Sequence, residues 1–419
     1  MQYQNSLAYA KQLDAADKLS YLRNRFLIPK DKEGNDWLYF TGNSLGLQPK
    51  STKNYINQEL EDWANFGVEG HFEAKNPWVN YHEYLTDKMA KIVGAKPIEV
   101  VVMNTLTTNL HLLMVSFYRP TKTKYKIVIE SDAFPSDRYA VQSQLKFHGF
   151  SEDDLIEWKP RKGSALLNIE DLETIVSEQG DEIALLLIGG VNYYTGQFLD
   201  LKKIAEIGHS QDCIVGIDLA HGAGNIQPNL HDSGVDFAAW CTYKYLNSGP
   251  GSLAGLFVHE KHSKNKELPR FAGWWNHNKV TRFNMRQPFD VMQGAEGWQL
   301  SNPPILSMAA IKASLDLFDE VGMDALREKS EKLTGYFEFL INEINSDDIK
   351  IITPKNPKER GCQLSIQVKN ANKSLHKKLT QNNIITDWRE PDVIRCAPVP
   401  MYNSFEDVYR MVEILKGLL

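Results

Sequence analysis

Two ionisable residues close apolar runs in a way that could serve a single heterocyclic cofactor. The run Cys213–Asp218 ends in Asp218, and the run that starts at Val235 ends in Thr242-Tyr243-Lys244. Ligands of open α/β sheets collect at the carboxyl ends of strands, so both side chains are expected to face one crevice. Pyridoxal phosphate (PLP) needs a lysine amine to hold its aldehyde as an imine. It also needs a carboxylate beside the ring nitrogen, which keeps the ring protonated as an electron sink. Taken alone, Asp218 reads as a helix cap and Lys244 as a solvated lysine. Their joint occurrence, with Gly249, Gly251 and Gly255 after the lysine, points to the cofactor.

A phosphate site is expected in Asn104-Thr105-Leu106-Thr107-Thr108, which opens an apolar helix. Small hydroxyl residues at a helix start leave backbone N–H groups aimed at an anion, aided by the helix dipole. An ordinary N-cap explains Thr105 or Thr107 equally well if the segment stands alone.

These residues require a scaffold of short buried strands. Tyr125–Glu130, Ile183–Ile188, Cys213–Asp218, Asp236–Cys241 and Leu253–Val258 are apolar throughout rather than alternating, as in a parallel or mixed sheet covered on both faces. Residues 6–25 carry Leu7, Ala10, Leu13, Leu19 and Leu22 at roughly helical spacing, which predicts an N-terminal helix. Ile305–Ile344 reads as one long helical stretch, followed by strands at Lys350–Ile352, Gln363–Val368 and Val393–Cys396. Three regions are therefore expected: an N-terminal segment 1–50, a large cofactor-binding domain 51–305 and a small α+β domain 306–419.

Composition excludes several other classes. Of the 419 residues, 42% are hydrophobic and 24% charged, which fits a globular chain rather than a disordered or coiled-coil one. The net charge of -6 comes without a basic block that could track a phosphate backbone, so nucleic acid is not expected. The run Ala184–Val191 is far too short to span a bilayer, and the opening MQYQNSLAYAKQLD lacks the order of a secretory signal. A cytoplasmic protein without membrane partners is expected. The four cysteines, Cys213, Cys241, Cys362 and Cys396, show no CxxC spacing and read as free buried thiols, with no metal.

The chain resembles kynureninases. Motifs that carry the resemblance run from Tyr39-Phe-Thr-Gly-Asn-Ser44-Leu-Gly through Asn104-Thr-Leu106-Thr107, Phe134-Pro-Ser-Asp137, Val191-Asn-Tyr-Tyr-Thr-Gly-Gln, Asp218-Leu-Ala-His221 and Ser301-Asn302-Pro-Pro to Arg395-Cys-Ala-Pro-Val-Pro. The resemblance implies the PLP-dependent, aminotransferase-like fold (fold type I), with a mainly parallel seven-stranded sheet and a smaller α+β domain. It further implies that Leu106 and Thr107 bind the phosphate, that Phe134 lies against the ring, and that Asp137, Asp218 and His221 sit at its polar edge. Tyr243 would reach the phosphate and relay protons beside Lys244. Trp274 and Asn302 would enter the site from the second subunit of a homodimer. Ser44, His71 and Asn302 match substrate-side positions, and Arg395 would hold the substrate carboxylate, a planar fork on a planar anion. The sequence departs from the pattern at Gly189, where some relatives carry a serine near the phosphate.

The implied reaction is hydrolysis of the Cβ–Cγ bond of L-kynurenine or 3-hydroxy-L-kynurenine, giving L-alanine and anthranilate or 3-hydroxyanthranilate, as in tryptophan breakdown or NAD precursor synthesis. The set His71, Ser301 and Asn302 implies preference for the 3-hydroxylated substrate, whose ring hydroxyl polar side chains can meet. Two alternatives stand beside this reading. A cysteine desulfurase would need a mobile thiol, and a non-catalytic binding protein on the same scaffold would have no reason to keep Lys244, Asp218 and Arg395 together.

Overall fold

In the computed structural model, which describes residues 3–285 and 288–419, the apolar runs become one seven-stranded sheet. Its strands are β1 (Val100–Met103), β2 (Lys126–Glu130), β3 (Leu155–Trp158), β4 (Ile183–Gly189), β5 (Ile214–Asp218), β6 (Phe237–Cys241) and β7 (Ala254–Val258). Their order is β1-β7-β6-β5-β4-β2-β3, parallel except for β7, which runs antiparallel to both β1 and β6. Successive strand residues enter opposite cores. Val128, Leu186, Ile188, Val215 and Ile217 join one, and Ile127, Ile129, Leu185 and Leu187 join the other. Both faces are dry, which is why the runs read as continuous rather than alternating. Each such fully buried aliphatic side chain contributes about 1.5–3 kcal/mol. The edge strands β1 and β3 are only four residues long, and the sequence reading did not expect them as strands.

The helices of two turns or more are α1 (Leu7–Ala16), α2 (Thr52–Phe66), α3 (Glu83–Val93), α4 (Leu106–Phe117), α5 (Pro135–Phe147), α6 (Ile169–Gln179), α7 (Leu201–His209), α8 (Ile305–Val321), α9 (Met323–Glu343), α10 (Lys373–Gln381) and α11 (Phe405–Leu418). The N-terminal helix ends at Ala16, and Ser20–Arg25 forms a separate 3-10 turn. The stretch read as one helix from Ile305 to Ile344 is two, broken at Gly322, whose φ of 78° lies in the left-handed region where a side chain is strained.

A second, antiparallel sheet of β8 (Ile349–Ile351), β9 (Leu364–Val368), β10 (Asp387–Arg389) and β11 (Val393–Cys396) has the order β8-β9-β11-β10. Leu364, Ile366, Ile394 and Cys396 pack there with Phe337 and Leu340 of α9, Val408 and Met411 of α11, and Ala10 of α1. Helix α11 is started by a capping box in which Ser404 accepts from the Asp407 N–H. Met308, Ile311, Leu315 and Phe318 of α8 bury in the large-sheet core instead, so the chain passes between the two cores along α9.

Candidate active site

The carboxyl ends of β2, β4 and β5 and the loop after β6 surround a cavity of about 250 Å³. Asp218 is the last residue of β5, and Lys244 stands three residues past the end of β6 rather than at the strand end expected. Both line the cavity, together with Leu106, Thr107, Phe134, Asp137, His221 and Tyr243. Ligands of open α/β sheets gather at such strand ends because the helix N-termini and turns that follow them converge there.

Lys244 Nζ lies 3.0 Å from His221 Nε2 and 5.9 Å from the centre of the Phe134 ring. His221 is buried, and burial followed by the Lys244 amine holds its imidazole well below the usual histidine range. The neutral ring can accept from the lysine. Its Nδ1 is buried without a hydrogen-bond partner among the described residues.

Asp137 and Asp218 form a hydrogen-bonded carboxyl pair, each 8% exposed. Burial, then the Asp218 charge, raises Asp137 well above the carboxylate range, so Asp137 carries the shared proton. Burial raises Asp218 as well, but less than Asp137, because the Asp137 hydrogen bond, the Ala220 N–H donating to Asp218 Oδ1 at 2.6 Å and the Lys244 amine all favour charge on Asp218. Burial raises the Tyr243 hydroxyl far above its usual value, with Cys241 adding to the effect, so it stays protonated and able to donate.

Helix α4 begins at Leu106 with Thr105 as N-cap in an extended conformation, and the Thr105 side chain makes no cap hydrogen bond. Its hydroxyl instead lies 3.1 Å from that of Thr108. The first-turn N–H groups of α4 therefore face the cavity wall without a side-chain acceptor from their own cap, the arrangement an anion would complete.

Arg395 on β11 does not line the cavity. It lies behind Tyr193, which does, donating to the Tyr193 carbonyl at 2.6 Å and to Asp387, with its buried Nε unpartnered among the described residues. Ser44 is exposed on a loop whose Gly46 N–H donates to the Tyr243 carbonyl at 2.8 Å. His71, Trp274 and Asn302 also stand outside the cavity of this single chain. His71 Nδ1 lies 2.9 Å from the Val68 carbonyl, with the ring edge-on to Trp78. Trp274 is 43% exposed and donates to the Arg282 carbonyl, and Asn302 is exposed. Glu130, Tyr193 and Ser252 line the cavity but were not among the residues read from sequence. A carboxylate closing the apolar run 126–130 was the available signal for Glu130.

A family model described as the kynureninase C-terminal domain matches residues 326–415. A kynureninase of Myxococcus xanthus is 54% identical over 99% of this chain and 98% of its own. The chain belongs to the kynureninase family. A Flavobacterium psychrophilum kynureninase is 55% identical over the full length of both chains. Among solved structures, the apo cysteine desulfurase of Thermococcus onnurineus superposes with a TM-score of 0.77 at 18% identity, covering 95% of this chain and 97% of that one. The cystine C–S lyase C-DES, in a mutant with glycine covalently linked to its PLP cofactor, also gives 0.77, at 16% identity over 94% and 98%. These likenesses show the shared fold, the aminotransferase-like α/β architecture that the kynureninase resemblance implied.

Proposed function

We infer that this chain is a PLP-dependent hydrolase acting on a carbon–carbon bond, cleaving L-kynurenine or 3-hydroxy-L-kynurenine between Cβ and Cγ. Products are L-alanine and anthranilate or 3-hydroxyanthranilate. The observation that carries this reading is the convergence of Lys244, the Asp137–Asp218 pair and the α4 N-terminus on one cavity of a chain in the kynureninase family.

The donor set fits the cofactor. Uncapped N–H groups at Leu106 and Thr107 suit its phosphate, and an anionic Asp218 backed by a protonated Asp137 suits a ring nitrogen that must keep its proton. Phe134 and the neutral His221 line the same space and would bound the ring. When bound, PLP supplies an aldehyde that couples to an amino group and a protonated ring that accepts electrons released at Cα.

The chain's own residues do the rest. Lys244 would hold the cofactor through its amine and, when that amine is free, would take and return the substrate Cα proton. Arg395, behind Tyr193, would pair with the substrate carboxylate and so orient the substrate. Asp218 would keep the ring nitrogen protonated. Water would add to the Cγ carbonyl, and Tyr243, which lines the cavity and stays protonated, would give a proton as the Cβ–Cγ bond breaks. Ser44, His71 and Asn302 are assigned to the substrate side, with preference for the 3-hydroxylated ring.

A homodimer with Trp274 and Asn302 reaching the neighbouring site completes the reading. Exposed Phe72, Phe271, Trp274, Phe283, Met285 and Phe289 support it, because so much apolar surface on neighbouring segments suits a protein partner. We place the enzyme in the cytoplasm; no helix among the described residues is long and apolar enough to cross a membrane. The three-region division is kept as 1–50, 51–305 and 306–419, with α8 packed back onto the large core. A desulfurase reading lacks its thiol: Cys362 and Cys396 are fully buried away from the cavity, and burial pushes the Cys362 thiol up to about 12.

The test is to load the protein with PLP, add each kynurenine and follow anthranilate fluorescence. Substitution Lys244→Ala is expected to lower the rate at least about a hundredfold. Equal product formation by the variant would remove the assigned role.

A further inference from the structure

Three carboxyl groups, not two, close the Asp218 side of the cavity. Glu130 ends β2, lines the cavity and is 4% exposed. The Gly189 N–H at the end of β4 donates to its Oε1 at 2.9 Å, and Gly189 is the β-ladder partner of Asp218. A Cβ at residue 189 would stand 2.7 Å from that same oxygen, so a side chain there would make the Glu130 carboxyl shift. The Glu130 carbonyl also accepts from the Ala133 N–H, in the turn that leads into the helix carrying Asp137.

The charged groups around Glu130 are few. Asp218 faces it from β5, Asp137 faces the cluster from α5, and the Lys244 amine acts on both aspartates. From β4 it accepts the Gly189 amide N–H, and its ladder partner on β3 is the uncharged Trp158. None of the three carboxyls has a salt bridge among the described residues. Three buried carboxylates cannot all ionise against one amine. Asp137 holds one proton against Asp218, which leaves Glu130 as the member free to change state. Burial outweighs the lowering effect of the Gly189 N–H and of its own backbone amide and, with a smaller push from the Asp218 charge, brings its carboxyl up to about 7.

We propose that Glu130 is a positioning residue for the cofactor ring, a third carboxyl that gives up its proton when the cationic ring nitrogen meets Asp218. The proposal rests on the reading that this cavity binds PLP. A cation arriving beside Asp218 favours ionised Glu130, so binding expels a proton and tightens as pH rises through the neutral range. Each unit by which the ring lowers the Glu130 pKa adds about tenfold to that rise.

Pyridoxine 5′-phosphate separates this effect from the covalent one, since it has no aldehyde for Lys244. Its affinity for the apoprotein is measured from about pH 6 to about pH 8, with the binding heat taken in two buffers of different ionisation enthalpy to count protons released. Wild type is expected to gain up to about tenfold more affinity across that range than Glu130→Gln, to match it at the acid end, and to release more protons. Equal pH slopes and equal proton release in the two proteins overturn the proposal while leaving PLP binding intact. Failure of wild type to bind PLP or pyridoxine phosphate sinks the parent reading and this one together. Should the variant not fold, proton release by wild type beyond that of the free ligand's own titration carries the proposal, and release equal to it overturns it.

Discussion

Arg395 shows how a residue outside the cavity can still be part of it. Its guanidinium is 1% exposed, held by the Tyr193 carbonyl and Asp387 and lying 5.8 Å from the centre of the Tyr193 ring. The chain therefore positions a fixed cation behind the wall that Tyr193 forms. If it receives the substrate carboxylate, Arg395→Gln loses a charge-assisted pair worth about 1.5–3 kcal/mol, an increase in KM of roughly ten- to a hundredfold. Steady-state assays on kynurenine should show KM rising far more than kcat falls; an unchanged KM would reassign the arginine to holding Tyr193. At this scale much was legible in the sequence, because Asp218 and Lys244 close or follow apolar runs. Glu130 and Tyr193 were not. Glu130 looked like a polar stop at the end of a run, and its burial depends on an amide 59 residues away.

At the scale of elements, the sheet explains two sensitivities that the active site does not. Gly255 on β7 faces Trp240 on β6, and a Cβ there would stand 2.2 Å from the indole. Trp240 is fully buried and has nowhere to retreat, so Gly255→Ala should cost about 1–3 kcal/mol in urea-induced unfolding. Asp236 ties three elements at the opposite end of the sheet from the cavity. It accepts from the Val215 N–H on β5, meets His209 on α7, and pairs with Lys261 and His262 after β7. Burial alone would raise this carboxyl, but the hydrogen bonds from His209 and His262 and the Lys261 charge prevail and hold it well below the usual range. A depressed acid stabilises the fold above its unfolded pKa of about 4, and that stability is lost as pH falls toward the folded value. Asp236→Asn should therefore lower the midpoint of thermal unfolding at neutral pH, with the gap to wild type closing in acid. A gap that stays constant with pH would mean that packing, not charge, is what Asp236 provides. The break at Gly322 was hidden from periodicity, because apolar spacing continues through it on both sides.

At the scale of the whole molecule, one chain leaves His71, Trp274 and Asn302 outside its own cavity while surrounding Trp274 with exposed aromatic side chains. A second copy would account for both facts. Mixing Lys244→Ala with Asn302→Ala chains tests this directly, because a hybrid dimer contains one site with Lys244 from one chain and Asn302 from the other. If the two singly substituted proteins are each inactive, random assortment should restore about a quarter of wild-type activity. No recovery, from chains shown to have exchanged, would place Asn302 in its own chain's site or outside any site.

By itself the sequence determined the class of chemistry and the type of scaffold. Apolar runs closing on an aspartate and leading to a lysine, together with full-length motif order, leave few folds that satisfy both. Only the tertiary structure decided which strands lie at the sheet edges, that Lys244 meets His221 rather than Asp218 directly, and that a third carboxyl shares the aspartates' wall. Strand order and burial depend on contacts between residues far apart in the chain, and protonation follows burial. Spacing along the chain fixes neither.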